Sequence, residues 1–210
     1  MDKSKYQQFV DYVKPEIEEL QEDLRGLPLT VMSYKVGDFG CGWGYITWCL
    51  MHEIPNSECI GIDKFDPENP PTLSKWRFSL DNVQSLFRRF GVEPSPDFRQ
   101  GDIVKGENLP SDFDIIYCKR VLFNIFVSND GCAKLNQAIH HIADALKYNG
   151  LLCLIEIQEA RFKSVLEENL VQAKLEFTAH RSVNRPYKTL EKDCEKYPYM
   201  IYQCKKAKQL

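Results

Sequence analysis

The sequence predicts an α/β protein with a doubly wound, mostly parallel β-sheet. From about residue 31 onward, short apolar segments of strand type alternate with longer segments in which apolar residues recur at helical spacing. The apolar segments are nearly continuous, which is typical of parallel strands that helices cover on both faces. Near the C-terminus two predicted strands follow each other without a helix between them, which indicates an antiparallel pair at one edge of the sheet. We therefore expect seven strands, with one reversed strand near the end.

The predicted elements follow one another in a regular order. The strands are Ser33–Phe39, Glu58–Asp63, Asp97–Asp102, Phe113–Cys118, Gly150–Ile157, Lys174–Val183 and Tyr199–Lys205. Two of the intervening helices are predicted from the apolar stripes Trp76, Leu80, Val83, Phe87, Phe90 and Leu135, Ile139, Ile142, Leu146. A further helix is predicted for Ala160–Val171. The connection Ile103–Asp112 contains Gly106 and Pro110 and has no helical spacing, so we expect a loop there.

A helical extension is predicted ahead of the first strand. Residues 3–25 carry apolar side chains close to helical spacing, and Gly26-Leu27-Pro28 is a typical end signal. Pro15 should divide the segment into two helices or begin the second one. This gives an extension over residues 1–28 and a main domain over residues 29–210.

Composition excludes several classes of protein. The chain has 210 residues and a net charge of −3, so a broad nucleic-acid-binding surface is not expected. No apolar run approaches the roughly 20 residues that a membrane span needs, and the polar N-terminus lacks the features of a signal peptide. The eight cysteines include no CxxC pair and no zinc-finger spacing, so neither a disulfide framework nor a metal site is predicted. We expect a cytoplasmic protein with reduced thiols.

The first predicted strand leads into a glycine turn and then a helix. The turn has the pattern D-x-G-x-G-x-G, with Asp38 followed by Gly40, Gly42 and Gly44. Such a turn presents backbone N–H groups and a helix N-terminus to a ligand. A dinucleotide-binding turn would need a third glycine at position 45, where this chain has Tyr45.

The segment Asp38-Phe39-Gly40-Cys41-Gly42-Trp43-Gly44 resembles motif I of class I S-adenosylmethionine-dependent methyltransferases. Asp63 at the end of CIGIDKF resembles their acidic motif II residue, and Asp102 in FRQGDIV stands where the family often has an acidic or amide residue. FDIIYCKRVL resembles motif IV, and LKYNGLLCLIEI resembles the last parallel strand, with Asn149-Gly150 in place of the usual turn. The resemblance covers about residues 33–207.

The resemblance implies a Rossmann-like methyltransferase domain with strand order 3-2-1-4-5-7-6 and an antiparallel strand 7. It also implies S-adenosyl-L-methionine as cofactor, with S-adenosyl-L-homocysteine as product. Asp63 would bind the ribose hydroxyls, Asp102 the adenine amino group, and Ile103 the adenine face. The positions that it assigns to cofactor binding are Asp38, Gly40, Cys41, Gly42, Asp63, Lys64, Asp102, Ile103 and Cys118.

The family has no universal catalytic residue, because the sulfonium methyl group is already activated and much of the protein's work is alignment. No catalytic residue is therefore assigned here. The charged, polar and thiol groups expected near the acceptor are Tyr117, Cys118, Lys119, Arg120, Glu156, Gln158, Glu159 and Arg161. Cys118 is not expected to be a nucleophile, because Tyr117 precedes it where cytosine-5 methyltransferases have a proline.

Three functions are compatible with the sequence. The first is methyl transfer to an oxygen or nitrogen of a small molecule, which the compact core and near-neutral charge favour. The second is methylation of RNA or protein with help from a partner subunit. The third is a cofactor-binding scaffold without catalysis. Oligomeric state has no signal in the sequence.

The N-terminal extension has two interpretations. It could cover an exposed part of the sheet, or it could form a lid over the carboxyl ends of the strands that excludes water from the site. The lid would bring Tyr6, Phe9 and Tyr12 near the acceptor. Two other patterns have structural explanations: Asn69-Pro70-Pro71 is expected to form a loop, and His140 and His141 are expected to be solvated.

Overall fold

The computed structural model describes residues 3–27, 29, 33–54, 56–66, 79–183 and 198–207. The strands are β1 (Tyr34–Phe39), β2 (Ser57–Asp63), β3 (Asp97–Gln100), β4 (Phe113–Lys119), β5 (Leu146–Ile157), β6 (Leu175–Val183) and β7 (Tyr199–Lys206). The helices are α1 (Lys3–Asp23), α2 (Tyr45–Glu53), α3 (Leu80–Phe90), α4 (Leu122–Phe126), α5 (Gly131–Ala145) and α6 (Ala160–Gln172).

The seven strands form one sheet in the order β3-β2-β1-β4-β5-β7-β6, which confirms the predicted architecture. Strands β1 to β5 pair in parallel, and β7 runs antiparallel to both β5 and β6. Asp38 of β1 stands in register with Gly61 of β2 and Tyr117 of β4. This register brings the glycine turn next to the carboxyl ends of β2 and β4.

Two strand boundaries differ from prediction by more than one residue. The third strand ends at Gln100, because Asp102 turns the chain: its carbonyl accepts the N–H groups of Gly106 and Glu107. The fifth strand begins at Leu146, because Leu146 already pairs with Phe113 ahead of an irregularity in the ladder.

Apolar layers cover both faces of the sheet. One layer contains the apolar stripes of α5 and α6, including Leu135, Ile139 and Leu166. The other contains α1, α2 and α3, including Val83 and Phe87 of the predicted α3 stripe. Trp76 and Asn69-Pro70-Pro71 lie outside the described residues.

The predicted break at Pro15 is wrong, because α1 continues through it as a single helix. A proline inside a helix removes one backbone hydrogen bond. Val13 and Leu20, on either side of it, are fully buried. Tertiary packing on both sides of Pro15 therefore holds the helix together.

Helix α1 lies on the same face of the sheet as α2 and α3. Near its beginning, the ring of Phe9 contacts Trp48 at 5.0 Å and Phe87 at 5.5 Å between centroids. At its end, Asp23 accepts a hydrogen bond from the hydroxyl of Tyr117, and its carbonyl accepts one from the side chain of Gln203. Helix α1 therefore covers the sheet over β4 and β7, which favours the covering-helix interpretation.

The described cysteines are unpaired thiols, and all but Cys132 are buried. Burial raises the pKa of Cys59 to about 11 and that of Cys204 to about 12. No helix within the described ranges is both long and apolar enough to cross a membrane.

Candidate cofactor site

The glycine turn connects β1 to α2 in a conformation that most residues avoid. Gly40, Gly42 and Gly44 all have positive φ angles, of 79°, 53° and 78°. The N–H groups of Gly40 and Cys41 both donate to the carbonyl of Ile62, at 2.7 and 3.1 Å. The turn is thereby fixed to the end of β2.

Two of these glycines also make room for neighbouring side chains. A Cβ atom on Gly40 would lie 2.2 Å from Cγ2 of Val121, just before α4. A Cβ atom on Gly44 would lie 2.4 Å from the ring of Phe98 in β3. The turn is therefore packed between the segment after β4 and the third strand.

Asp38 lies at the end of β1 and is buried. Its Oδ2 accepts a 2.6 Å hydrogen bond from the hydroxyl of Thr47, and the carboxylate also accepts the backbone N–H of Thr47. Helix α2 has Gly44 as N-cap and no capping side chain of its own, so Asp38 takes over that role from the sheet. Burial raises the pKa of Asp38 to about 7, although the hydrogen bonds from Thr47 act to lower it.

Asp63 ends β2 and faces the glycine turn. Its Oδ2 accepts the N–H of Gly42 at 3.0 Å, and its Oδ1 accepts the N–H of Phe65 at 3.3 Å. Burial raises the pKa of Asp63, and these N–H donors oppose the rise. The predicted motif I glycine and the predicted motif II carboxylate are thus in direct contact.

A cleft of about 340 Å³ opens beyond the ends of β2 and β3. Its volume lies within the range of small-molecule sites. The residues that line it are Lys64, Phe65, Asp66, Gln100, Gly101, Asp102, Lys105, Glu107 and Asn108. Of the predicted site residues, Lys64 and Asp102 lie on this wall, and Asp63 directly precedes Lys64 in the chain.

Asp102 shapes one side of the cleft. Its Oδ1 accepts the N–H groups of Val104 and Lys105, at 2.9 and 3.2 Å. Its Oδ2 lies 3.8 Å from Nζ of Lys64, so these two predicted cofactor residues form an ion pair in the lining of the cleft. Ile103, which was predicted to cover the adenine, packs against the core cluster of α5 and is not one of the lining residues.

Cys118 and Cys41 are both buried. The Cys118 thiol belongs to the core on the α5 face, and burial raises its pKa well above the usual range. A protonated thiol in an apolar core is not a nucleophile, in agreement with the sequence argument. The Cys41 side chain lies close to Gly61, where an added Cβ would be 3.0 Å from Sγ.

Glu156 has a different role from the one predicted. Its fully buried carboxylate accepts the N–H groups of Val121, Leu122 and Phe123, at 3.0, 2.8 and 3.2 Å. It therefore caps the short helix α4, which was not predicted, and it is not available to an acceptor. Burial raises the pKa of Glu156 to about 7, and the three N–H donors oppose the rise.

Other groups predicted to face the acceptor also have partners within the protein. Lys119 lies under α1, where its Nζ is 3.5 Å from Glu16, 3.0 Å from Glu19 and 3.8 Å from Asp23. Glu159 caps α6 by accepting the backbone N–H groups at the start of that helix. Arg161 lies over the ring of Phe126, and Gln158 accepts from Ser182.

We expect the free energy of unfolding to fall as the pH rises from about 4.5 to about 7. Folding raises the pKa of Glu156 from 4.5, and that of Asp38 from 3.8, to about 7. Between these values the folded protein holds protons that the unfolded chain releases, so stability is lost as the pH rises through the folded-state pKa. Each group contributes a slope of at most about 1.4 kcal/mol per pH unit.

Urea unfolding over this pH range measures the slope. Glu156→Gln should flatten it, whereas Glu168→Gln, which changes an exposed glutamate on α6, should leave it as in the wild type. An unchanged slope in Glu156→Gln would contradict the assignment.

The roles of three residues in the site were not predicted from the sequence. Thr47 binds Asp38, Glu156 holds α4, and His141 contacts the wall of the cleft through the carbonyl of Ile103 at 3.0 Å. The prediction that His141 is solvated is wrong, because the ring packs between α5 and residues 103–106. His140 is exposed as predicted. Of these three roles, only that of Thr47 had a signal in the sequence: Thr47 is the third residue of a helix that begins directly after a glycine.

Comparison with known proteins identifies the fold. No protein-family model and no curated protein matches the sequence. Among solved structures, magnesium protoporphyrin IX methyltransferase from Synechocystis, with bound S-adenosylmethionine, aligns with 91% of this chain and 77% of its own, at 16% identity and a TM-score of 0.59. An S-adenosylmethionine-dependent methyltransferase from Clostridium acetobutylicum aligns with 95% of this chain and 92% of its own, at 16% identity and a TM-score of 0.57.

The chain therefore has the fold of class I S-adenosylmethionine-dependent methyltransferases. The [4+2]-cyclase SpnF has it too, aligning with 92% of this chain and 80% of its own at 17% identity and a TM-score of 0.63. The fold thus accommodates more than one reaction, and function must be argued from the site.

Proposed function

We propose that this protein is an S-adenosyl-L-methionine-dependent methyltransferase that acts on an oxygen or nitrogen of a small molecule. The observation that carries the proposal is the contact between Asp63 and the N–H of Gly42 beside the cleft. It fixes a carboxylate at the end of β2 against the glycine turn, next to the cleft that Lys64 and a second carboxylate, Asp102, line. Carboxylates at the ends of two neighbouring strands are acceptors of the kind that the ribose hydroxyls and the base amino group of a nucleoside need.

The residues present fit the nucleoside half of the cofactor. Asp63 would accept hydrogen bonds from the ribose hydroxyls, since each carboxylate oxygen keeps a lone pair beyond its backbone contact. Asp102 would accept from the adenine amino group through Oδ2, whose neighbour is Lys64 at 3.8 Å. The glycine turn lets backbone approach the ligand closely. The other predicted site residues, Asp38, Gly40, Cys41, Ile103 and Cys118, would support the turn and the strand ends.

When bound, S-adenosylmethionine supplies an activated methyl group. The protein's part in the reaction is to hold and orient the cofactor and to exclude water. The strand-end carboxylates Asp38 and Glu156 serve this purpose indirectly, because they fix α2 and α4 on either side of the turn. No catalytic side chain is proposed.

Asp63→Ala should weaken binding of S-adenosylmethionine about tenfold to hundredfold. The variant removes charged hydrogen bonds worth about 1.5–3 kcal/mol. Isothermal titration calorimetry measures the effect. Asp144→Ala, which removes an exposed carboxylate on α5, is the matched control and should bind like the wild type. Equal affinity in Asp63→Ala and wild type would exclude the ribose assignment.

A labelled-methyl transfer assay separates the candidate functions. Transfer to components of a metabolite extract supports the small-molecule proposal, and transfer only to RNA or protein fractions supports a macromolecular substrate. Binding of S-adenosylmethionine without transfer to any fraction supports a scaffold, or a reaction of another kind on the same fold, as the cyclase SpnF illustrates.

A further inference from the structure

The turn after β3 forms more than half of the cleft wall. Five of the nine lining residues lie in it: Gly101, Asp102, Lys105, Glu107 and Asn108. Its backbone closes on Asp102, whose N–H donates to the carbonyl of Glu107 and whose carbonyl accepts the N–H of Gly106 at 2.8 Å. The wall is thus a compact turn of the backbone, and its position relative to β2 decides the width of the cleft.

His141 contacts this turn from the side that faces away from the cleft. Its Nδ1 lies 3.0 Å from the carbonyl oxygen of Ile103. A carbonyl oxygen only accepts, so Nδ1 carries the proton and donates. The imidazole edge also packs on Gly106, where an added Cβ would meet Nε2 at 2.8 Å. Neither Ile103 nor Gly106 lines the cleft, so His141 touches the wall only from behind.

The helix that carries His141 is firmly held. Leu135, Ile139 and Ile142 of α5 are buried in the core against the sheet. A donor on such a helix has a fixed position, so the hydrogen bond transfers that position to the turn.

We infer that His141 is a positioning residue for the cofactor site: from α5 it holds the wall 101–108 at the distance from β2 that a bound nucleoside requires. The inference rests on the proposed function for the identity of the ligand. It concerns a residue that acts through the backbone of Ile103 and Gly106 and does not itself contact the ligand.

The test compares a variant that keeps the donor with one that loses it. His141→Asn retains an N–H near the position of Nδ1, whereas His141→Leu keeps similar bulk without a donor. We expect His141→Leu to bind S-adenosylmethionine about threefold to tenfold more weakly, with a melting temperature close to the wild type, and His141→Asn to recover most of the affinity. His140→Leu, one residue away and exposed, is the matched control and should bind normally.

Hydrogen exchange supplies a readout that needs no ligand. The N–H groups of Val104, Lys105, Gly106 and Glu107 all donate to Asp102. They should exchange faster in His141→Leu than in the wild type, and at the wild-type rate in His141→Asn and His140→Leu.

The outcomes separate this inference from the proposed function. If the wild type does not bind S-adenosylmethionine but exchange changes as expected, the proposed function fails and the positioning role stands for another ligand. Unchanged exchange in His141→Leu overturns the inference. So does an equal loss of protection in His141→Asn and His141→Leu, because the donor then has no part in holding the wall.

Discussion

A chain that lacks residues 1–25 is expected to be unfolded in neutral buffer. The deletion removes Phe9, Val13, Leu20 and Leu24, all of which are buried. Each contributes about 1.5–3 kcal/mol by burial, and their sum is comparable to the whole stability of a typical domain, about 5–15 kcal/mol. The deletion also exposes the sheet face around Tyr117. Far-ultraviolet circular dichroism and urea unfolding measure the result.

Point variants in α1 measure its contribution to the free energy of unfolding. Phe9→Ala should lower the free energy of unfolding by about 3–5 kcal/mol, since the ring packs between α2 and α3. Tyr12→Ala changes a ring on the same helix that is 43% exposed and should cost much less. A folded, cofactor-binding truncation without methyl transfer would instead support the lid interpretation.

Lys119→Met is expected to destabilise the protein by about 3–5 kcal/mol at neutral pH. The substitution keeps an unbranched side chain one atom shorter and removes the charge that faces Glu16, Glu19 and Asp23. Burial already raises the pKa of Glu16 and that of Asp23, and the Lys119 ammonium opposes both shifts. Without that ammonium, the protein must either keep uncompensated carboxylates or bind protons.

The pH dependence of this variant distinguishes lost charge from lost packing. The difference from the wild type should shrink as the pH falls, because Glu16 and Asp23, whose pKa values burial raises, then take up protons and lose the charge that Lys119 compensates. Lys14→Met changes an exposed lysine on α1 and should have little effect at any pH. A destabilisation by Lys119→Met that does not vary with pH would point to packing alone.

Local patterns were sufficient for much of the fold. The apolar strands and the helical stripes of α3 and α5 depend on residues close in sequence. The structure confirms the strands and both helices, except that Leu146 of the predicted α5 stripe is the first residue of β5; Trp76 of the α3 stripe lies outside the described residues. The strand order came from the resemblance. The predicted break at Pro15 was wrong because tertiary packing on both sides of the proline outweighs the hydrogen bond that it removes from the helix. Helix α4 was missed because its cap, Glu156, comes from a strand 34 residues along the chain from Leu122.

The candidate site was predictable to the extent that its residues belong to the strand-end motifs. Gly42 and Asp63 were both predicted as cofactor-binding residues, and their contact follows from the register of β1 and β2. The sequence could not show that Asp38 would turn toward α2, since that depends on the placement of Thr47. It gave no sign of His141 either, because a histidine beside an apolar stripe becomes a donor only when a carbonyl from another segment meets it.

The buried thiols give the protein a built-in reporter of its own unfolding. Among the described residues, Cys132 is exposed, while Cys41, Cys49, Cys59, Cys118, Cys153 and Cys204 are buried. The thiolate is the nucleophile that displaces iodide from iodoacetamide, and a thiol whose pKa burial has raised scarcely forms a thiolate near neutral pH. Brief treatment with iodoacetamide therefore modifies the folded chain at few positions and an opened chain at many. Intact mass spectrometry then counts folded and unfolded molecules in a single sample, without an attached dye.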